Sequence, residues 1–151
     1  MFLDKLTFIG KSARRHISAL SKSLNISDAE TAACAYIHFH WETNQERIAR
    51  ALDMDRGNAA KVMLSLENQG IIRRTVNPKN RREYLIELTN EGKQKIDLVI
   101  NTVSQWENAV LEHLSDYERE VFLEVIDGIF HKLSQNALID REFDGKRLTN
   151  V

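Results

Sequence analysis

Arg56, Gly57, Asn58 and Lys61 stand close together, and Lys79-Asn80-Arg81-Arg82 follow in the same stretch of chain. An arginine can hold guanine through two parallel hydrogen bonds, an asparagine can do the same to adenine, and a lysine meets a phosphate. Gly57 leaves room for close approach. From 56 to 82 there are seven Lys/Arg, Arg74 among them, against one acid, Glu67. The formal charge of the whole chain is −1, but it is unevenly spread: +1 over 1–43, +4 over 44–95 and −6 over 96–151. A basic middle between a neutral front and an acidic rear points to a local face for a polyanion. A solvated charged surface is the alternative that charge alone leaves open.

Such side chains need elements to aim them. A chain of 151 residues, 42 % hydrophobic and 28 % charged, is sized for one domain with a real core. Six glycines and one proline favour long helices over a many-turned sheet. Leu6, Ile9, Ala13, Ile17, Leu20 and Leu24 recur at three- and four-residue steps and predict a first helix to about Ser23. Ser27 with Glu30 is a capping box for a second helix through Cys34 and Ile37 to about His40. Thr43 with Glu46 repeats the device for a short third helix with Ile48, Ala51 and Leu52 inward. Asp55 is the next N-cap. Its helix buries Ala59, Val62, Met63 and Leu66 and ends at Gly70, in the left-handed conformation glycine takes cheaply.

After Gly70 the period changes to two. Residues 71–76 and 83–88 read as strands, with Tyr84, Ile86 and Leu88 on one face, and residues 77–82 form a basic hairpin tip. A short third strand is expected near Glu42. Thr89 caps a long helix with Ile96, Ile100, Val103, Trp106 and Val110 in line. Ser115 with Glu118 starts a last helix with Phe122, Val125, Ile126, Ile129, Phe130 and Leu133 on one stripe; the pattern fades from Asn136. Helix, turn, helix and hairpin is the order of a winged helix-turn-helix. In it Arg56, Asn58 and Lys61 lie away from the apolar stripe of a recognition helix. Arg81 and Arg82 at the tip suit the deep negative potential of a narrow minor groove. The competing use of such a tip is to keep strand edges from aggregating.

Residues 43–92 resemble the core of the MarR family of winged helix-turn-helix transcriptional regulators. The resemblance rests on Thr43-Asn44-Gln45-Glu46-Arg47-Ile48-Ala49, on Leu66-Glu67-Asn68-Gln69-Gly70-Ile71-Ile72-Arg73-Arg74, and on Asn80-Arg81-Arg82 followed by Leu88-Thr89-Asn90-Glu91-Gly92. Looser likeness, as helix order, extends over about 2–137. What the resemblance implies is a dimer whose first and last helices intertwine, with a ligand cleft between the dimer and DNA-binding parts. There are departures. The family's wing aspartate is Asn80 here, so Arg82 is expected to be less firmly aimed. Ala60, Leu64 and Ser65 replace commonly polar or basic residues, which predicts weaker readout at that end of the helix.

The expected fold is therefore mainly α with a small β-wing: six helices and two main strands, with N- and C-terminal dimerisation helices. One domain should span 1–137, with the DNA-binding lobe at about 27–89, dimerisation helices at about 2–24 and 90–137, and a loose tail over 138–151. The expected partners are double-stranded DNA, a second copy, and a small anionic or aromatic effector. Arg14, His16, Tyr36 and His38 are its candidate contacts, because they interrupt largely apolar helices.

Other chemistry finds little support. Cys34 lies among alanines and reads as a small buried thiol. The five histidines show no His-x-x-x-His spacing, and His38 and His40 diverge on a helix, so no metal and no cofactor are expected. Nucleophile elbow and phosphate loop are both missing, so the chain is read as no enzyme. With no membrane-length apolar run and no secretory leader, the expected setting is the cytoplasm. A winged-helix module for protein–protein contact is the alternative, and it would not need the exposed basic tip. An enzyme's dimerisation domain would need a catalytic partner domain that this length leaves no room for.

Overall fold

Ser27 Oγ accepts a hydrogen bond from the Glu30 amide at 3.2 Å, and the Glu30 carboxylate accepts from the Ser27 amide at 2.7 Å. This reciprocal cap opens the second of six helices in a computed structural model that describes residues 1–40 and 42–143. Among these residues the order is α1 (Phe2–Ser23), α2 (Asp28–Phe39), α3 (Gln45–Ala51), α4 (Arg56–Asn68), β1 (Ile72–Asn77), β2 (Asn80–Leu88), α5 (Asn90–Leu111) and α6 (Asp116–Phe143). The chain divides into two compact units, 1–107 and 108–151. No helix among the described residues is long and apolar enough to cross a membrane.

Most helix starts are those the sequence predicts. Asp55 accepts from the Asn58 amide at 2.8 Å, and Ser115 and Glu118 form a reciprocal cap. The third helix differs. Its cap is Asn44, whose Oδ1 accepts from the Arg47 amide at 2.8 Å, not Thr43. Thr43 is otherwise engaged: its carbonyl accepts from the Ile86 amide at 2.9 Å in an antiparallel bridge. Among the described residues that single bridge is all that forms of the third strand expected near Glu42. In so short a helix Ile48 and Ala49 fill the core, while Ala51 is exposed and Leu52 half-buried.

Three helix ends share one device. After α4 the Gly70 amide donates to the Glu67 carbonyl and the Ile71 amide to the Leu66 carbonyl, with Gly70 at φ +70°. Asn25 and Asp53 repeat the pattern after α1 and α3, at φ 56° and 53°. Their short polar side chains tolerate the left-handed region better than other non-glycine residues do.

Within residues 1–107 the core gathers Ile48, Met63, Leu66, Ile71, Ile86 and Ile96, each 2 % exposed or less. It closes around one junction. The Thr89 hydroxyl donates to the Gly70 carbonyl at 2.6 Å and accepts from the Gly92 amide at 3.1 Å, while the Thr89 amide donates to the Ile71 carbonyl at 2.9 Å. A Cβ added at Gly92 would lie 2.1 Å from the Ile71 oxygen. Only glycine lets α5 start this close to β1.

Buried polar groups link the neighbouring helices. Thr31 Oγ1 donates to Ser21 Oγ at 2.7 Å, joining α2 to α1. The buried Glu30 carboxylate accepts from Gln69 Nε2 at 3.0 Å, joining α2 to the end of α4. Burial raises the Glu30 pKa, but bonds from the Ser27 amide and from Ser65, Ser27 and Gln69 side chains outweigh it, leaving the group below its ordinary range. Its stabilisation is therefore in place above that range and fades as pH falls through the depressed value.

The hairpin departs from expectation at three points. Strand β1 pairs antiparallel with β2 from Ile72↔Leu88 to Val76↔Tyr84, and Ile86 and Leu88 face the core. Tyr84, expected beside them, is exposed, because the outer hairpin runs past the helices that cover its base. Strand β2 begins at Asn80, so the turn is Pro78-Lys79. Arg81 and Arg82 thus lie on the strand, at the register shift that follows the Asn77↔Asn80 pair.

In the second unit α6 continues to Phe143, past Asn136 where the apolar pattern stops. Residues 144–151 of the expected tail lie outside the described residues. Phe122, Val125, Ile126, Ile129, Phe130 and Leu133 are all exposed within one chain. In the first unit the early residues of α1 are equally uncovered, Leu6 and Ile9 among them.

The Gly70–Thr89–Gly92 junction makes a direct prediction. Gly92→Ala should cost about 1–3 kcal/mol through overpacking. Thr89→Val should cost about 0.5–1.5 kcal/mol by removing the hydroxyl's hydrogen bonds. Urea unfolding should show lower midpoints with unchanged slopes; midpoints equal to the parent's would contradict the junction's role.

Candidate nucleic-acid interface

Helix α4 presents two unlike faces. Ala59, Val62, Met63 and Leu66 are buried, whereas Arg56, Gly57, Asn58, Ala60, Lys61 and Leu64 are exposed. Among the described residues, no hydrogen bond or ion pair engages the side chains of Arg56, Asn58 or Lys61. Their donors face solvent on a helix whose opposite side is locked into the core.

The wing is fastened near its turn. The Glu83 carboxylate accepts from Asn77 Nδ2 at 2.8 Å and also from Asn44 Nδ2, which ties the hairpin to the cap of α3. Asn77 Oδ1 accepts from the Lys79 amide at 2.9 Å, and Asn80 Oδ1 from the Arg82 amide at 3.2 Å. Residue 80 therefore holds the backbone of Arg82, not its guanidinium. Arg81 and Arg82 are exposed and, among the described residues, without a salt bridge; the Lys79 ammonium lies 3.6 Å from Glu42.

Arg74 stands apart from this set. It is half-buried, with Nε 3.1 Å from Glu67 Oε2 at the end of α4. A guanidinium so placed braces β1 against α4. Its neighbour Arg73 pairs with Glu87 at 2.8 Å.

Residues 26–84 match the family model described as the MarR family. Over these residues the chain is similar to MarR family proteins. It is 29 % identical over 99 residues to a putative transcriptional regulatory protein for the hcr operon of Thauera aromatica, covering 66 % of this chain and 60 % of that one. Across the first curated relatives it matches, the chain spans only 52 % to 60 % of their length. A crystal structure of MarR superposes with a TM-score of 0.73 at 28 % identity, over 94 % of both chains. A Staphylococcus aureus MepR–DNA complex gives 0.72 at 18 % identity, over 88 % of this chain and 98 % of that one, which is likeness of fold. The mainly helical fold with its small two-stranded wing is that of these structures.

The four candidate effector contacts do not converge. Arg14 lines a largely apolar cavity of about 690 Å³ among α1, α2 and α5, together with Ile17, Ala32, Ala35, Phe39 and Val103. His38 lines a different cavity of about 680 Å³, with its Nδ1 4.0 Å from Asp97. His16 Nδ1 contacts the Ser12 carbonyl at 3.0 Å, and Tyr36 stacks on His40 at 3.9 Å; neither lines those cavities. Sequence reasoning missed the apolar lining. Its one legible signal was the alanine-rich face of α2, which leaves room where larger side chains would fill it. Cys34 is buried, and burial, with Glu30 adding to it, pushes its thiol up to about 12.

A thiol that weakly acidic should be inert in the native state. At pH 8 Cys34 is expected to resist a thiol-specific disulfide reagent in the folded protein and to react fully once unfolded in urea. Rapid native-state reaction would contradict its burial.

Proposed function

We propose that this chain is a sequence-specific DNA-binding regulator of transcription, not an enzyme, acting in the cytoplasm as a homodimer on a pseudo-palindromic operator. The observation that carries the reading is the set of exposed cations Arg56, Lys61, Arg81 and Arg82, unpaired among the described residues, on two elements held from behind. Arg56 and Asn58 read base edges in the major groove, Lys61 meets phosphate, and Arg81 and Arg82 approach the backbone and flanking minor groove.

A second copy of the chain covers the exposed apolar residues of α1 and α6. A helix of this kind is marginal in water until its apolar face is packed. Two-fold symmetry then sets the recognition helices roughly 34 Å apart, one turn of duplex. A dimer seated across two half-sites blocks access to the promoter beneath it, so repression is the expected sense. The apolar cavity near Arg14 takes a small aromatic molecule; Asp28 and Glu107 line it too and offset the guanidinium's pull on an anion. Thr31 lines that cavity and bonds to Ser21, while its neighbour Glu30 holds Gln69 at the end of α4. A ligand that resets α1 against α2 therefore acts on the recognition helix through bonded groups, with coupling of about 1–3 kcal/mol.

Selection of operators from random duplexes by the purified chain tests the reading. Specific binding should exceed non-specific by at least about a thousandfold; no selectivity would overturn it. Arg82→Ala should leave stability within about 0.5 kcal/mol. It should also flatten the plot of log affinity against log salt by roughly 0.9 for each phosphate the wing no longer neutralises. An unchanged slope would remove Arg82 from the interface.

Sedimentation tests the assembly independently. The full chain should run at twice 17.4 kDa, and replacing Leu6 and Ile126 by aspartate should shift it towards monomer. A stable monomer at micromolar concentration would overturn the dimer.

A further inference from the structure

Leu64 is the one large apolar side chain on the outer face of α4, and it is 55 % exposed. It follows Arg56 and the exposed Ala60 at steps of four, so the three form one stripe along the helix. From Arg56 to Leu64 the stripe rises about 12 Å, the length of three to four base-pair steps. Lys61 lies beside it, and no acidic residue occurs from 56 to 66. Nothing within residues 1–107 covers Leu64, and it belongs to neither apolar helix assigned to the dimer.

A major groove lined with polar base edges offers one apolar group, the C5-methyl of thymine. We propose that Ala60 and Leu64 read thymine methyl groups in each half-site, beyond the base held by Arg56. The two residues then specify sequence by apolar packing where polar side chains would do so by hydrogen bonding. Readout at this end of the helix changes in kind. Lys61 anchors the phosphate alongside and keeps the stripe seated in the groove. The proposal rests on the DNA-binding reading above and names the base class that this part of the site selects.

Replacing thymine by deoxyuridine removes only the methyl and leaves every base-edge hydrogen bond in place. In the operator chosen by the full chain, each half-site thymine would be replaced in turn and binding measured at fixed salt. At one or two positions the parent should lose about fourfold in affinity, the equivalent of ~0.8 kcal/mol for a buried methyl group. Leu64→Ala and Ala60→Ser, both at exposed positions and checked by thermal unfolding, should each bring one of those ratios below twofold. A parent that selects an operator yet binds its uracil forms equally well overturns the proposal and leaves the DNA reading intact. Uracil sensitivity that persists undiminished in both variants assigns the methyl recognition to other residues and also overturns it. Failure of the parent to select any operator overturns the DNA reading and the proposal together.

Discussion

The architecture depends on one carbonyl–hydroxyl contact at the back of the recognition helix. Thr89 binds the Gly70 carbonyl where α4 ends, the Ile71 carbonyl where β1 is about to begin, and the Gly92 amide in the first turn of α5. Two segments some twenty residues apart, the α4–β1 turn and the start of α5, are fixed within one hydrogen-bonded knot. Gly92 is required because α5 approaches the Ile71 carbonyl too closely for any Cβ. Gly70 is required because the chain must reverse there at positive φ to reach that carbonyl. Gly70, Thr89 and Gly92 are thus one mechanical part, not three separate preferences.

Everything exposed on α4 follows from what that part hides. With Leu66 and Ile71 buried beside the knot, the helix cannot rotate without drawing Val62 and Met63 out of the core. The opposite face is thereby presented in a fixed register, with Arg56 and Asn58 at its start. The wing is fixed by a different kind of interaction. Glu83, held by Asn44 and Asn77, joins it to the helix that precedes the recognition helix. Apolar burial sets the helix and a charged, half-exposed hinge sets the wing, so the wing is the more easily retuned of the two.

How much of this is legible in the sequence depends on the range of the interaction. Local signals point correctly to Ser27, Asp55, Gly70, Thr89 and Ser115, because a cap or a left-handed turn is decided within a few residues. Thr43 misleads because its carbonyl is claimed by Ile86, far along the chain, and the cap moves to Asn44. Tyr84 misleads because alternation predicts which face a residue takes but not where the covering layer stops. Arg81 and Arg82 shift from tip to strand because the turn closes at Pro78-Lys79. The cavity near Arg14 leaves almost no trace, since space among three helices is a property of their packing and not of any local pattern.

The buried polar groups explain how α4 can be both firmly held and open to influence. Its C-terminal end is gripped twice, by Thr89 through Gly70 and by Glu30 through Gln69. The first grip belongs to the strand–helix junction, exposed at Gly70 but resting on the buried Ile71, Leu88 and Gly92. The second belongs to α2, where Glu30 sits next to Thr31 and its bond to Ser21 on α1. Apolar packing tolerates small sliding motions, because burial depends weakly on direction. A hydrogen bond does not, and a buried one that is stretched leaves unpaired groups at a cost of about 1–3 kcal/mol. Gln69 is itself exposed, so water can take over its side of the bond to Glu30, whereas the buried Thr31–Ser21 pair has no such substitute.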